Sequence, residues 1–164
     1  MYGDRSRQGA GRADKPRHYA ALYVSETPQG AVGEVFGDLA TWTEAMFTTP
    51  WLPNGQRALA TCETTRDLRV LDLDDSHVLA RLNVRPTDVV GRDRERSREV
   101  ALQVWSTGDW DGLRWWSWWR PAWRNQVLWS PEMTWPLDTV DVTALKLDHP
   151  AVQTAASVLP RPRE

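Results

Sequence analysis

The amino-acid sequence predicts an α+β fold. Helical and extended patterns follow one another without the regular strand–helix–strand alternation that a doubly wound parallel sheet requires. The chain has 164 residues, of which 41% are hydrophobic and 26% charged, values that are typical of one globular domain. We therefore expect a single domain over residues 1–159, with a loop-like N-terminus over residues 1–19 and a frayed C-terminal tail at 160–164.

Local chemistry marks the first strand and the first helix. Residues 20–24, AALYV, are apolar and end in a β-branched residue, which favours a strand. A helix begins at Thr27-Pro28, because threonine caps helices and proline is favoured at the first helical position. Apolar residues then recur at helical spacing as far as Leu39. Prolines and an Asn-Gly pair between residues 42 and 56 predict a fading helix followed by a turn.

The middle of the chain predicts two strands and a short helix. The strands are Leu59–Glu63 and Leu68–Leu73. The acid-rich segment LDLDDSH caps a helix that runs from about His77 to Leu82. Turn and cap chemistry accounts for its aspartates better than a pair of catalytic carboxylates does.

A longer helix begins in the charged segment RDRERSRE, residues 92–99, whose mixed signs argue against a nucleic-acid patch. Its buried stripe consists of Ser97, Val100, Ala101, Val104 and Trp105. Gly108 ends this helix. Three strands follow, at Leu113–Trp119, Asn125–Trp129 and Val140–Leu147.

Charge and composition argue against several classes of function. The net charge of −2 does not favour direct binding to nucleic acid or to an anionic membrane. The single cysteine, Cys62, excludes an internal disulfide, and the polar N-terminus lacks the apolar core of a secretory signal. The three histidines are too scattered to gather a metal ion, and no apolar run is long enough to span a membrane. We expect a cytoplasmic protein without a metal site.

The most unusual segment is LRWWSWWRPAW, residues 113–123, which holds five of the eleven tryptophans. In a strand, Trp116 and Trp118 would share one face, and Ser117 would lie with Trp115 and Trp119 on the other. Neither face is polar throughout, so both would be covered at least in part. Ser117 then needs a hydrogen-bond partner, which is either the backbone or a ligand.

Four segments of the chain, taken together, resemble the RES domain family, which is named for an arginine, a glutamate and a serine. GAGR ends at Arg12, and ALYVSETPQGAVGEV joins a strand tyrosine, Tyr23, to a helix glutamate, Glu34. LRVLDLDD is similar to the strand and acidic turn that follow the family's first helix. DGLRWWSWWRPAWRNQVLW is similar to its Gly-aromatic-Ser segment, which precedes an Asn and an aromatic-ended strand.

The resemblance implies a fold similar to ADP-ribosyltransferases and a toxin that consumes NAD as a substrate, with no resident cofactor. Cleavage of the nicotinamide–ribose bond leaves positive charge on the ribose carbon, which a carboxylate stabilises, as in glycoside hydrolysis. The resemblance gives this role to Glu34, and it gives binding of the NAD pyrophosphate to Arg12.

The remaining site residues implied by the resemblance contact the nicotinamide end of the substrate. Ser117 would hold a polar group of the ribose or nicotinamide, and Tyr23 would stack on one of these rings. Trp116 and its neighbours would exclude water and offer stacking faces, and Asn125 would add a supporting hydrogen bond.

The family also implies a cognate antitoxin, a small helical protein that blocks the cleft. The sequence does not decide whether water, phosphate or a protein accepts the ribose, nor whether the chain forms a homo-oligomer. A protein ADP-ribosyltransferase is therefore an alternative. An alternative of another class is a tryptophan-rich domain that binds carbohydrate or a partner without turnover, although carbohydrate-binding modules are mostly β and often secreted.

Overall fold

The computed structural model describes residues 8–49 and 53–163. The earlier part of the predicted N-terminal loop, the turn residue Pro50 and the last residue of the tail lie outside these ranges. The chain forms two compact units, where the sequence predicts one domain. Unit 1 comprises the chain up to Ser25 together with Arg66–Pro136, and unit 2 comprises Glu26–Thr65 with the chain from Leu137 onwards.

Unit 1 is built on a four-stranded mixed sheet of β1 (Ala20–Ser25), β3 (Val70–Asp72), β4 (Gly112–Trp116) and β5 (Arg124–Ser130). The order of the strands in this sheet is β1-β5-β4-β3. β5 is antiparallel to both of its neighbours, and β3 runs parallel to β4. The helices of the unit are α2 (Ser76–Leu82), α3 (Pro86–Val90) and α4 (Arg94–Trp105).

The core of unit 1 lies between one face of this sheet and its helices. Paired residues of adjacent strands share a face, so Leu113 and Trp115 of β4 lie beside Val127 and Asn125 of β5. Leu113, Trp115 and Val127 belong to one buried cluster with the apolar stripe of α4. The same face therefore carries both the core and, at its end, Asn125.

Unit 2 contains α1 (Pro28–Phe36), α5 (Pro150–Val158) and a two-stranded ribbon of β2 (Ala58–Thr64) and β6 (Leu137–Ala144). α1 packs against α5. Trp42 is fully buried, and its Nε1–H donates to the Phe36 carbonyl oxygen over 3.1 Å. Both faces of the ribbon are largely exposed, including Val140 and Val142.

The α+β class is confirmed, and local capping chemistry explains several element boundaries. Thr27 caps α1 through a hydrogen bond from the Gly30 N–H, with proline at the first position as predicted. Asp75 caps α2 by accepting from the His77 N–H. The predicted stripe of α4 is confirmed at its four buried residues, Ser97, Val100, Ala101 and Val104.

Other predictions differ from the structure. α3 and α5, which are five and nine residues long, were not predicted. The described residues of the tail from Pro160 make contacts with the rest of unit 2. The Arg161 backbone N–H donates to the Ala156 carbonyl oxygen, and the Arg161 guanidinium donates to the Gly37 carbonyl oxygen. Arg163 forms an isolated parallel β-bridge with Trp42. In the part of the chain that the structure describes, none of the helices has the length and apolarity needed to cross a bilayer.

Candidate functional site

Ser117 immediately follows β4 and is buried, with 1% of its surface exposed. Its backbone N–H donates to the Trp123 carbonyl oxygen over 2.8 Å, and its Oγ accepts from the Trp119 N–H over 3.0 Å. A serine hydroxyl that accepts from the backbone two residues later stabilises a turn. The backbone thus provides a partner for Ser117, as one of the two sequence interpretations expects.

The prediction of a strand through Trp119 is wrong, because β4 ends at Trp116. The turn closed by Ser117 breaks the alternation of side chains beyond that point. Trp118 is 62% exposed, whereas Trp115 is buried. Trp116 is half-buried and packs against the core cluster of unit 1.

Asn125 lies near the start of β5, where it is paired with Trp115 on one side and with Ser25 on the other. It is 5% exposed. Its Oδ1 accepts from the Ser25 hydroxyl over 2.6 Å, but within the described parts of the chain its buried Nδ2 has no hydrogen-bond partner. A buried donor without an acceptor costs about 1–3 kcal/mol, so each such donor calls for an explanation. A polar ligand that supplies an acceptor would provide one.

Tyr23 lies on the same strand as Ser25, two residues earlier, and its ring meets Trp115 edge-on at 6.4 Å between centroids. Its hydroxyl donates to Asp14 Oδ1 over 2.7 Å and accepts from the Ala13 N–H over 2.8 Å. Burial of the hydroxyl, reinforced by the Asp14 carboxylate, raises the pKa of Tyr23 well above its ordinary value. Tyr23 therefore stays neutral at physiological pH.

Arg12 lies in the turn that contains Ala13 and Asp14, the two hydrogen-bond partners of the Tyr23 hydroxyl. Its Nη1 donates to the carbonyl oxygens of Val89 and Gly91 over 2.7 and 2.9 Å. These carbonyls are at the C-terminal end of α3, where helix carbonyls lack partners within the helix. Arg12 thus has a structural task at α3 in addition to the phosphate-binding role predicted for it.

Glu34 is exposed on α1, and the buried residues of that helix are Gly30, Val32, Gly33 and Phe36. This agrees with its predicted position on the flank of the apolar stripe. Glu34 belongs to unit 2, whereas the other five predicted site residues belong to unit 1. Within unit 1, Tyr23, Asn125 and Ser117 lie along one end of the β1-β5-β4 sheet.

The turn and cap chemistry predicted for the acidic segment after β3 is present, and ion pairs add to it. Asp72 Oδ1 accepts from the Asp74 N–H, and Asp75 caps α2. Asp72 also pairs with Arg114, and Asp74 pairs with Arg124. Partial burial by itself raises the pKa of Asp72, but hydrogen bonds from Arg114 and from the Asp74 N–H outweigh it, so that the pKa is below its ordinary value.

Asp14 is a buried polar residue that sequence reasoning missed. It is 5% exposed and accepts hydrogen bonds from two backbone N–H groups as well as from Tyr23. The one available signal was its place after the glycines of GAGR, because aspartate often accepts from the N–H groups of a tight turn.

Two clefts of about 410 and 430 Å³ lie at the other end of the sheet in unit 1. Both are lined by Asp111, Trp129 and Pro131. None of the six predicted site residues lines either cleft.

Comparisons with known proteins place the chain in a family. The model of the RES domain matches residues 1–150. A chain from the crystal structure of the Mycobacterium tuberculosis MbcT–MbcA toxin–antitoxin complex has a similar fold, with a TM-score of 0.64 and 19% sequence identity. The similarity covers 92% of this chain and 76% of that one. No curated protein sequence matches the chain. On the strength of the family match over most of its length, this chain belongs to the RES domain family.

Proposed function

We propose that this protein is the toxin of a toxin–antitoxin pair and that it cleaves the bond between nicotinamide and ribose in NAD. Membership of the RES domain family and the fold shared with a chain of a toxin–antitoxin complex support the toxin assignment. The observation that carries the choice of a polar ligand is the buried Nδ2 of Asn125, which lacks an acceptor among the described residues.

The proposed reaction needs little acid catalysis from the protein. When the bond to the ribose carbon breaks, its electron pair goes to the positively charged pyridinium nitrogen, and nicotinamide leaves as a neutral molecule. The ribose carbon becomes electron-poor, and water or phosphate forms the new bond to it through an oxygen; when water does so, it releases a proton to the solvent. The family resemblance assigns stabilisation of the developing positive charge to Glu34, the role that a carboxylate has in glycoside hydrolysis.

The residues of unit 1 bind and orient the substrate in this proposal. Asn125 Nδ2 donates to a hydroxyl or carboxamide oxygen of the nicotinamide riboside portion. Ser117 contacts the same portion, and the Tyr23 ring and Trp116 offer stacking surfaces. Arg12 binds the pyrophosphate.

The test is release of nicotinamide from NAD by the purified protein, with and without phosphate. We expect Glu34→Gln to reduce the rate by about 100-fold or more, as loss of a transition-state stabilising group does. Glu63→Gln is the matched control, because Glu63 is also an exposed glutamate of unit 2. Equal rates for the wild type and Glu34→Gln would refute the assignment of Glu34.

Ser117→Ala should also reduce nicotinamide release. Because Ser117 Oγ stabilises the turn at Trp119, the melting temperature of the variant must be measured alongside its rate. Ser106→Ala is the control, since the Ser106 hydroxyl bonds to an exposed helix carbonyl in the same unit. A rate loss no larger than that of Ser106→Ala would remove Ser117 from the site.

The products distinguish the two enzymatic alternatives. Free ADP-ribose or its phosphate supports a glycohydrolase or a phosphorylase, and transfer of labelled ADP-ribose to a protein supports an ADP-ribosyltransferase. Over its described residues the chain has five α-helices, which disfavours a mostly β carbohydrate-binding module.

A toxin that consumes NAD in the cytoplasm must be inhibited in its own cell, so we propose a small helical antitoxin as the partner. Trp118 is 62% exposed, and tryptophan is enriched among residues that dominate binding energy at interfaces. A purified candidate antitoxin should inhibit nicotinamide release by the wild type and should bind Trp118→Ala more weakly. A candidate that binds without inhibiting release would contradict this proposal.

A further inference from the structure

A buried carboxylate organises the turn that carries Arg12. Asp14 Oδ2 accepts from the N–H groups of Gly9 and Gly11 over 2.8 and 2.7 Å, and Asp14 Oδ1 accepts from the Tyr23 hydroxyl over 2.7 Å. With only 5% of the residue exposed, these bonds replace the hydration that the carboxylate would have in water.

The Tyr23 hydroxyl both donates and accepts a hydrogen bond within the protein. It donates its proton to Asp14 and accepts from the Ala13 N–H, and the Ala13 carbonyl oxygen in turn accepts from the Tyr19 hydroxyl over 2.8 Å. Tyr23 as a whole is nevertheless 40% exposed. The accessible part of Tyr23 is therefore its ring.

The fit around this network is close. A Cβ atom added to Gly11 would lie 2.4 Å from the Tyr23 hydroxyl oxygen and 2.7 Å from Asp14 Oδ1, both far inside van der Waals contact. Gly11 allows the carboxylate and the phenol to approach the backbone beside Arg12. Arg12 itself is held at the end of α3.

We propose that Asp14 is a positioning residue, which fixes the Tyr23 ring for stacking on the substrate and fixes the turn that presents Arg12. Asp14 acts through these two residues and does not touch the reacting atoms. The proposal rests on the proposed function for its effect on substrate binding, but the link between Asp14 and Tyr23 can be measured without any turnover.

The ¹³Cζ chemical shift of Tyr23 at neutral pH reports this link. Burial is the main cause of the raised pKa of Tyr23, and the Asp14 carboxylate raises it further through its charge and its hydrogen bond, with a smaller contribution from Tyr19. A phenol that donates to a carboxylate gains some phenolate character, which moves its Cζ signal to higher ppm. In Asp14→Asn the anion is gone, so the Tyr23 Cζ signal should move to lower ppm.

The experiment compares the full-length wild type, Asp14→Asn and Gly11→Ala, with Asp67→Asn as the matched control because Asp67 is an exposed aspartate of the same unit. Tyrosine labelled with ¹³C at Cζ is observed by NMR at neutral pH, and the Tyr23 signal is assigned from Tyr23→Phe. In parallel, KM and kcat for NAD are measured from nicotinamide release. Gly11→Ala disturbs the same network without changing either side chain.

We expect the Tyr23 Cζ signal to move to lower ppm in Asp14→Asn and to stay unchanged in Asp67→Asn. We also expect KM to rise about tenfold in Asp14→Asn and Gly11→Ala, while kcat changes by less than about threefold, since a charge-assisted hydrogen bond that orders a binding surface is lost. An unchanged Tyr23 signal in Asp14→Asn overturns the proposal, and so does an unchanged KM in an active protein. A wild type that releases no nicotinamide refutes the proposed function instead, and the Tyr23 signal then decides alone whether Asp14 holds Tyr23.

Discussion

Replacing Asn125 with leucine should make the protein more stable and less active. Leucine has the branched shape of asparagine but no polar atoms, and its side chain is somewhat larger. The substitution removes the buried Nδ2 that lacks an acceptor, and it also removes the acceptor of the Ser25 hydroxyl. These two effects act on stability in opposite directions.

The structure sets the size of each effect. Removing an unsatisfied buried donor gains about 1–3 kcal/mol, and losing the neutral Ser25–Asn125 hydrogen bond costs about 0.5–1.5 kcal/mol. The net gain is about 1 kcal/mol, which corresponds to a rise in melting temperature of roughly 2–4 °C for a chain of this length. If Nδ2 donates to the substrate, kcat/KM should fall by about three- to tenfold, the value of one neutral hydrogen bond.

The assay combines thermal melts, with and without NAD, and nicotinamide release. NAD should raise the melting temperature of the wild type more than that of Asn125→Leu, because a ligand stabilises the folded state in proportion to its binding. Gln103→Leu, an exposed amide on α4, serves as the control and should change neither measurement appreciably. A lower melting temperature in Asn125→Leu, together with unchanged nicotinamide release, would refute the reasoning.

Three further predictions concern stability. Hydrogen bonds from Arg66 hold the pKa of Asp111 below its ordinary value. A carboxyl group with a lowered pKa stabilises the fold above its unfolded pKa, and this effect is lost as the pH falls through the folded pKa. Asp111→Asn should therefore lower the free energy of unfolding by about 1 kcal/mol at pH 7. Urea unfolding should show this difference fading towards pH 3, and a constant difference would contradict it. Trp42→Ala should cost about 3–5 kcal/mol in the same assay, because the indole is fully buried, and a loss below about 1 kcal/mol would contradict its place in the core. Gly112→Ala should sharply reduce the yield of folded protein, because its Cβ would lie 2.1 Å from the Val127 carbonyl oxygen across the β4–β5 pair, and a wild-type melting temperature would contradict this.

Elements with local chemical signals could be predicted from the sequence. Thr27-Pro28 marks the start of α1 because a cap and a proline act within one turn of the helix. The stripe of α4 is visible because its spacing repeats over three turns. α3 is too short to show a period, and the cap of α5 is His149, a residue type that is seldom a helix cap.

The parts of the candidate site that depend on long-range pairing could not be predicted from spacing. Asn125 meets Ser25 across 100 residues, and no local pattern indicates that β1 pairs with β5. The role of Asp14 could not be predicted either, because it depends on a hydrogen bond from the Tyr23 hydroxyl that forms only in the folded protein. The need of Ser117 for a hydrogen-bond partner, by contrast, could be predicted from its place among tryptophans, and the Trp119 N–H provides one.

The pairing of β1 with β5 has a consequence for synthesis of the protein. After β1 has been synthesised, the ribosome must add about a hundred further residues before its partner β5 is available. β2 likewise cannot pair until β6 has been synthesised. Folding limited by such distant contacts is slow and comes late. A prematurely terminated chain that lacks β5 and β6 would therefore be unable to complete either unit, so a shortened translation product of this kind should not fold.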